Sequence, residues 1–114
     1  MALEPEIPYL EPRAVASLMK LGGKKKLDAL MAVLDASGPL RLADLQNARD
    51  LAAAKAAAQA LKPTAAGLGL ARLEDLCDQI LARRDWKRPD PLGAQVEQAF
   101  EQGRRALHQH RAGL

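Results

Sequence analysis

The stretch from residue 50 to residue 61 reads DLAAAKAAAQAL and is the strongest indication of structure in this sequence. Alanine loses less free energy than any other residue on entering a helix, and aspartate is one of the preferred residues at a helix N-cap. Glycine favours the end of a helix, and Gly67 and Gly69 follow this stretch. We therefore predict a helix that begins after Asp50 and ends near Gly67 and Gly69.

Apolar residues at helical spacing predict further helices on both sides of this one. A short leading helix is expected from about Pro12 to Lys20, ended by Gly22-Gly23. A second helix is expected from Lys24, with a bend or interruption at Pro39. Its predicted apolar residues are Leu27, Leu30, Met31, Val33, Leu34, Leu40, Leu42 and Leu45.

Two more helices are predicted after the alanine-rich one. The fourth would bury Leu70, Leu73, Leu76, Cys77, Ile80 and Leu81, and a polar connection from Arg83 to Pro89 would follow it. Asp90-Pro91 is a capping signature, and the fifth helix would bury Leu92, Val96, Ala99, Phe100, Gly103 and Leu107.

No segment alternates with the period of a strand, so the expected fold is all-α. We predict one domain over residues 1–114, an antiparallel up-and-down four-helix bundle with a short additional N-terminal helix. Residues 1–10 are expected to form an extended lead-in because Pro5 and Pro8 restrict the backbone.

The composition excludes several classes of function. No apolar run approaches the roughly 20 residues that span a bilayer, which predicts a cytoplasmic protein without membrane contact. Cys77 is the only cysteine, so neither an internal disulfide nor a cysteine-cluster metal site is expected. The charge of +3 comes from 17 basic and 14 acidic residues, a mixture that makes nucleic acid an unlikely partner.

Few single residues suggest chemistry. Cys77 falls on an apolar stripe and is expected to be an inert core thiol. His108 and His110 are two apart and cannot share a helical face as an i, i+4 metal pair does, so no metal or cofactor is predicted. The best nucleic-acid candidates are residues 24–26 and 83–88, although both segments are also typical of solvated helix ends, and Trp86 in the second is alternatively a cover for one end of the bundle.

The alanine-rich helix has two distinguishable sides at 3.6 residues per turn. One side, predicted to be buried, consists of Ala54, Ala58, Leu61, Ala65 and Leu68. The other, predicted to be exposed, consists of Ala52, Lys55, Gln59, Lys62, Pro63 and Ala66. A strip of small residues with two lysines suits close contact with an acidic protein surface, and it equally suits simple solvation.

Residues 58–69, AQALKPTAAGLG, continue through Leu73, Leu76 and Cys77 and resemble the signature of histidine-containing phosphotransfer (HPt) domains. In that family the pattern runs Ala-His-x-Leu-Lys-Gly-Ser, followed by a glycine and a leucine-rich helix. The resemblance covers most of the chain, since further similar features are Leu10-Glu11-Pro12, Gly22-Gly23, Pro39 and Asp50. Gln59 stands where the family has its phosphorylated histidine, and Pro63 stands where it usually has glycine.

The resemblance implies a signalling protein, and the change at Gln59 implies one without catalysis. A glutamine amide nitrogen is delocalised into its carbonyl and is a poor nucleophile, so phosphoryl relay should be lost. The expected function is an adaptor that binds a response-regulator receiver domain or a sensor histidine kinase through Lys55, Gln59, Lys62, Pro63 and Ala66. Pro63 is also expected to kink the helix beside this surface.

Two other functions remain open from the sequence. One is phosphotransfer, either by a relay that uses another residue or by an active phosphotransfer protein whose histidine has been replaced. The other is a basic helical protein that binds nucleic acid, which predicts steep salt dependence.

Overall fold

The computed structural model describes residues 6–114, and within that range the chain is all-helical, with no strand. It forms four helices, α1 (Pro12–Gln46), α2 (Leu51–Leu68), α3 (Ala71–Leu81) and α4 (Pro91–Ala112). The predicted all-α class is therefore confirmed. Of the predicted lead-in, residues 6–10 are not helical and residues 1–5 lie outside the described residues.

The first helix contains one break in its backbone. It begins with Pro12 in its first turn and with the Glu11 side chain accepting a hydrogen bond from the Arg13 amide. Gly23 then has φ 67° and ψ −168°, which are not helical angles and which glycine adopts without steric cost. The predicted leading helix is thus the part of α1 before Gly23, not a separate element.

Pro39 does not interrupt α1, contrary to that part of the prediction. The helix continues past it to Gln46 with no further non-helical residue. Pro39 is exposed, so the carbonyl group that loses its amide partner lies on the side of the helix where water can replace it.

The predicted helix ends agree closely with the structure for α2. Asp50 Oδ1 accepts a hydrogen bond of 2.8 Å from the Ala53 amide. Gly69 has a left-handed conformation, with φ 73°, and its amide bonds back to the end of the helix. Gly67, in contrast, lies inside α2, so Gly69 alone marks its end.

The core is built mainly from leucine and alanine, with Phe100 as its one fully buried ring among the described residues. Gly38 on α1 makes room for that ring, since a Cβ atom at this position would lie 2.5 Å from two ring carbons. Val33 and Leu40, both predicted to be apolar core positions, are instead 47% and 63% exposed. Helical spacing placed them near the buried stripe, but the neighbouring helices cover only part of α1.

Each helix packs against two others: α2 lies against α1 and α3, and α4 lies against α3 and α1. Ion pairs from Asp28 to Arg111 and from Asp35 to Arg104 join α1 to α4. Near the other end of the same pair of helices, the Gln46 side chain donates to the Gly93 carbonyl. No helix in residues 6–114 has the length and apolar character needed to cross a membrane.

Candidate docking surface on the second helix

The predicted inner side of α2 is confirmed by burial. All five residues of the predicted inner side are buried, namely Ala54, Ala58, Leu61, Ala65 and Leu68. We call the other side the α2 strip, defined as Ala52, Lys55, Gln59, Lys62, Pro63 and Ala66. Its four uncharged members are exposed and its two lysines are half-buried.

Lys62 is engaged within the protein. Its ammonium nitrogen lies 2.6 Å from Asp78 Oδ1 on α3, and both side chains are partly exposed, at 40% and 48%. The hydrogen bond and the charge of Asp78 raise the pKa of Lys62. Because pairing with Asp78 offsets its charge, Lys62 contributes less to the positive potential of the strip than a solitary lysine would.

Lys55 is the other cation of the strip and forms no ion pair within residues 6–114. It precedes Gln59 by four residues, so the two side chains lie one turn apart on the same side of α2. A helical wheel of α2 places Lys55 and Lys62 on the same side and does not show that only Lys62 is paired. Their difference depends on how α3 packs against α2.

Pro63 lies inside α2 without breaking it. No residue of α2 departs from helical backbone angles, from Leu51 to Leu68. Proline has no amide hydrogen, so the Gln59 carbonyl, its usual partner four residues earlier, has no intrahelical donor there. The Gln59 carbonyl therefore lacks its usual helical donor beside the exposed Gln59 side-chain amide.

A second exposed row of small residues widens this surface toward α1. Ala53, Ala56, Ala60 and Gly67 are all exposed, and none of them was predicted to contribute to the site. The signal was present in the sequence, because these residues lie next to the strip on a helical wheel and are all alanine or glycine. Small side chains allow another backbone to approach closely.

Leu30 of α1 lies beside one end of this second row. A Cβ atom at Gly67 would lie 3.8 Å from Leu30, which locates the contact between α2 and α1. Val33 and Leu40 lie roughly 60° and 80° around the α1 axis from Leu30, on one side of it. Farther along α1, Arg41 and Asp44 line a pocket with Ala53 and Ala56, so charged side chains of α1 also adjoin the alanine-rich surface.

Cys77 lies behind the Lys62–Asp78 pair and is fully buried. Burial, followed by the charge of Asp78, raises the pKa of its thiol to about 12, with Lys62 acting in the opposite direction. The predicted core position of Cys77 is confirmed. A thiol with this pKa is almost entirely protonated at neutral pH and is a poor nucleophile.

The predicted nucleic-acid candidates are separate from this surface. Lys24, Lys25 and Lys26 are exposed at the break in α1. Trp86 is half-buried and packs against the core, with the Arg83 guanidinium carbon 5.9 Å from its ring centroid. This position agrees with the alternative prediction, in which Trp86 covers one end of the bundle.

The histidines lie on α4, away from α2. His108 Nε2 is 3.3 Å from Asp35 Oδ2, and Arg104 binds the other oxygen of that carboxylate. Within the described part of the chain, no three or more His, Cys, Asp or Glu side chains are arranged to hold a metal ion. His108 is thus part of a surface cluster of charged side chains between α1 and α4.

Known proteins provide no independent assignment for this surface. No protein-family model matches the sequence, and no curated protein or solved structure is significantly similar to it. Function is therefore inferred from the residues of α2, from what surrounds them, and from the resemblance in the sequence of this helix.

Proposed function

We propose that this chain is a non-catalytic, HPt-like signalling adaptor of a two-component or phosphorelay pathway. It binds a response-regulator receiver domain or a sensor histidine kinase in the cytoplasm without carrying phosphate. The observation that carries the proposal is the placement of Gln59. It is exposed in the middle of α2, with a lysine one turn away on each side and small exposed residues around it.

The proposal includes an architecture, an antiparallel up-and-down four-helix bundle with a short N-terminal helix. The contacts between α1 and α4 support opposite directions for these helices, since Asp28 pairs with Arg111 whereas Gln46 bonds to Gly93. The non-helical backbone at Gly23 supports a short helix before it.

The chemistry of the strip favours binding over catalysis. Gln59 supplies no nucleophilic nitrogen, and the only thiol nearby is the buried, protonated Cys77. Lys55 supplies a positive charge suited to an acidic partner, and the exposed alanines permit close packing. The surface therefore retains the positive charge and the small side chains that a docking helix needs, but it lacks the nucleophile that a phosphoryl carrier needs.

Binding to isolated receiver and kinase domains tests the proposal. Titration calorimetry should detect a complex with at least one such domain, and Lys55→Glu should weaken it about tenfold because a favourable charge contact becomes a repulsion. Lys25→Glu is the matched control, since it makes the same charge change on an exposed lysine of α1. Absence of binding to every receiver and kinase domain tried would overturn the proposal.

Phosphoryl transfer provides the second test. Incubation with a phosphorylated receiver domain should leave the unaltered chain unlabelled. The variant Gln59→His carries an imidazole at this exposed position, and labelling of the variant would show that the rest of the site is competent. Acid-labile phosphate on the unaltered chain would contradict a non-catalytic role.

A further inference from the structure

A groove lies at the end of the molecule where α1 ends and α4 begins. Leu45, Ala48 and Trp86 contribute apolar surface to it, and Lys87 and Arg88 contribute cationic side chains. Its volume is about 430 Å³, enough for one or two amino-acid side chains. None of its residues belongs to the α2 strip.

The segment that forms the cationic edge is held in place by one carboxylate. The Asp90 side chain has no exposed surface and accepts hydrogen bonds of 3.2 and 2.8 Å from the Arg83 guanidinium. It also accepts bonds of 3.0 Å from the amides of Lys87 and Leu92. The connection from Arg83 to Asp90 is therefore ordered without a ligand, which reduces the entropy lost on binding.

The positive charge around the groove is not balanced locally. Arg84, Lys87 and Arg88 are exposed, and none forms an ion pair within the described residues. Arg49, also exposed and without such a pair, directly follows Ala48 in the chain.

The carboxylates at this end offset part of the cationic charge. Asp90 is buried against Arg83, and Asp85 lies 3.6 Å from the same guanidinium. Asp50 accepts the capping hydrogen bond of α2. Five cations at this end, counting Arg83, outnumber these three carboxylates by two, so the net charge is positive and favours an anionic ligand.

We propose that this groove binds an acidic peptide segment of a partner protein, with an apolar side chain of that peptide seated against Trp86 and Ala48. Carboxylates of the peptide pair with Lys87 and Arg88, and residues 49 and 84 add long-range attraction. The charge of the groove selects an anion, and the half-buried Trp86 ring offers a contact to an apolar side chain that a bare phosphate would not use. The groove and the α2 strip share no residue, so substitutions can alter each surface separately.

A peptide suits the groove better than a nucleic acid. Single strands are held by successive bases stacked on several aromatic rings along a basic track. Trp86 is the only aromatic residue at this groove, and the Arg83 guanidinium already lies over its ring.

Trp86 is the only tryptophan of the chain and therefore reports directly on the groove. The probe is a short synthetic peptide in which glutamates flank two leucines, and the matched control peptide carries glutamines in place of the glutamates. Adding the acidic peptide to the full chain should change the emission of Trp86, saturate, and weaken with added salt. The double variant Lys87→Glu with Arg88→Glu should raise the Kd about tenfold or more.

A second double variant separates a specific groove from general basicity. Lys24→Glu with Lys25→Glu makes the same change in net charge at exposed positions of α1 and should leave the Kd within about twofold. Circular dichroism verifies that both variants remain helical, and anisotropy of a labelled peptide repeats the measurement without relying on Trp86.

Four results would each overturn the inference. They are no binding of the acidic peptide, equal binding of the glutamine peptide, equal weakening by the two double variants, and tighter binding of a single-stranded oligonucleotide of the same charge. The proposed role of the α2 strip is tested separately, since neither double variant alters a residue of that strip.

Discussion

The Lys62 ammonium nitrogen lies 2.6 Å from a carboxylate oxygen of Asp78 and joins α2 to α3 one turn from Gln59. This contact determines how much positive charge the α2 strip presents to a partner. It also provides a way to change that charge without altering the strip itself, because Asp78 belongs to α3.

Asp78→Asn should strengthen binding to an acidic receiver domain about two- to fivefold, because Lys62 no longer has an anion beside it. The temperature of unfolding should hardly change, since an ion pair this exposed contributes little to stability. Calorimetric titration and thermal unfolding measure the two effects. Weaker binding by the variant would show that Asp78 itself contacts the partner.

Asp90→Ala should destabilise the protein by about 2–4 kcal/mol, because it removes the cap of α4 and leaves the Arg83 guanidinium without its main partner. Asp85→Ala is the control, since that exposed carboxylate is only 3.6 Å from Arg83 and caps no helix. Urea unfolding of both variants gives the comparison. Equal stability of the two variants would contradict a structural role for Asp90.

Acid should unfold the natural chain in part through the same residue. Burial raises the pKa of Asp90, but hydrogen bonds from the Lys87 and Leu92 amides and from Arg83 outweigh it, so the net pKa lies below the ordinary 3.8. A lowered folded-state pKa gives stability that is complete above the unfolded-state value and is lost as pH falls through the folded-state value. Unfolding free energies measured from pH 6 downward should therefore decline below about pH 4, and Asp90→Asn should make that decline shallower.

Gly38→Ala should destabilise the core by about 1–3 kcal/mol, because the new methyl group overlaps the Phe100 ring. Gly67→Ala is a matched substitution in α2, where the nearest side-chain atom is 3.8 Å from the new Cβ. There alanine should raise stability by about 0.5–1 kcal/mol through its better helix propensity. Thermal unfolding measures the stability of both variants. The prediction requires that Gly38→Ala lowers it and that Gly67→Ala raises it.

Cys77 should resist alkylation in the folded protein, since burial both shields its thiol and raises its pKa to about 12. Iodoacetamide at about pH 8 should label it only when denaturant unfolds the chain, which mass spectrometry detects as a single added group. Rapid labelling under native conditions would place Cys77 outside the core.

Local signals in the sequence predicted the helices well. Asp50 and Gly69 bound α2 because capping depends on residues within a turn of the helix end. The inner side of α2 followed from its alanine and leucine spacing, because burial on one side of a helix repeats every 3.6 residues. These are properties of one helix taken alone.

Contacts between helices were not predictable in the same way. The pairing of Lys62 with Asp78 depends on the register of α2 against α3, which no local pattern contains. Asp90 was recognisable as a cap, but its burial and its bonds to Arg83 depend on how the connection folds back on α4. Val33 and Leu40 show the same limit, since helical spacing does not reveal which part of an apolar stripe a neighbour covers.

The contact of Phe100 with Gly38 also bears on how the chain is made. Residues 12–81 leave the ribosome before α4, so α1 to α3 are available to fold while the side of α1 at Gly38 still lacks its partner. Until Phe100 emerges, that apolar surface is open to the solvent and to other nascent chains. The contact between Gly38 and Phe100 can therefore form only after α4 has been synthesised.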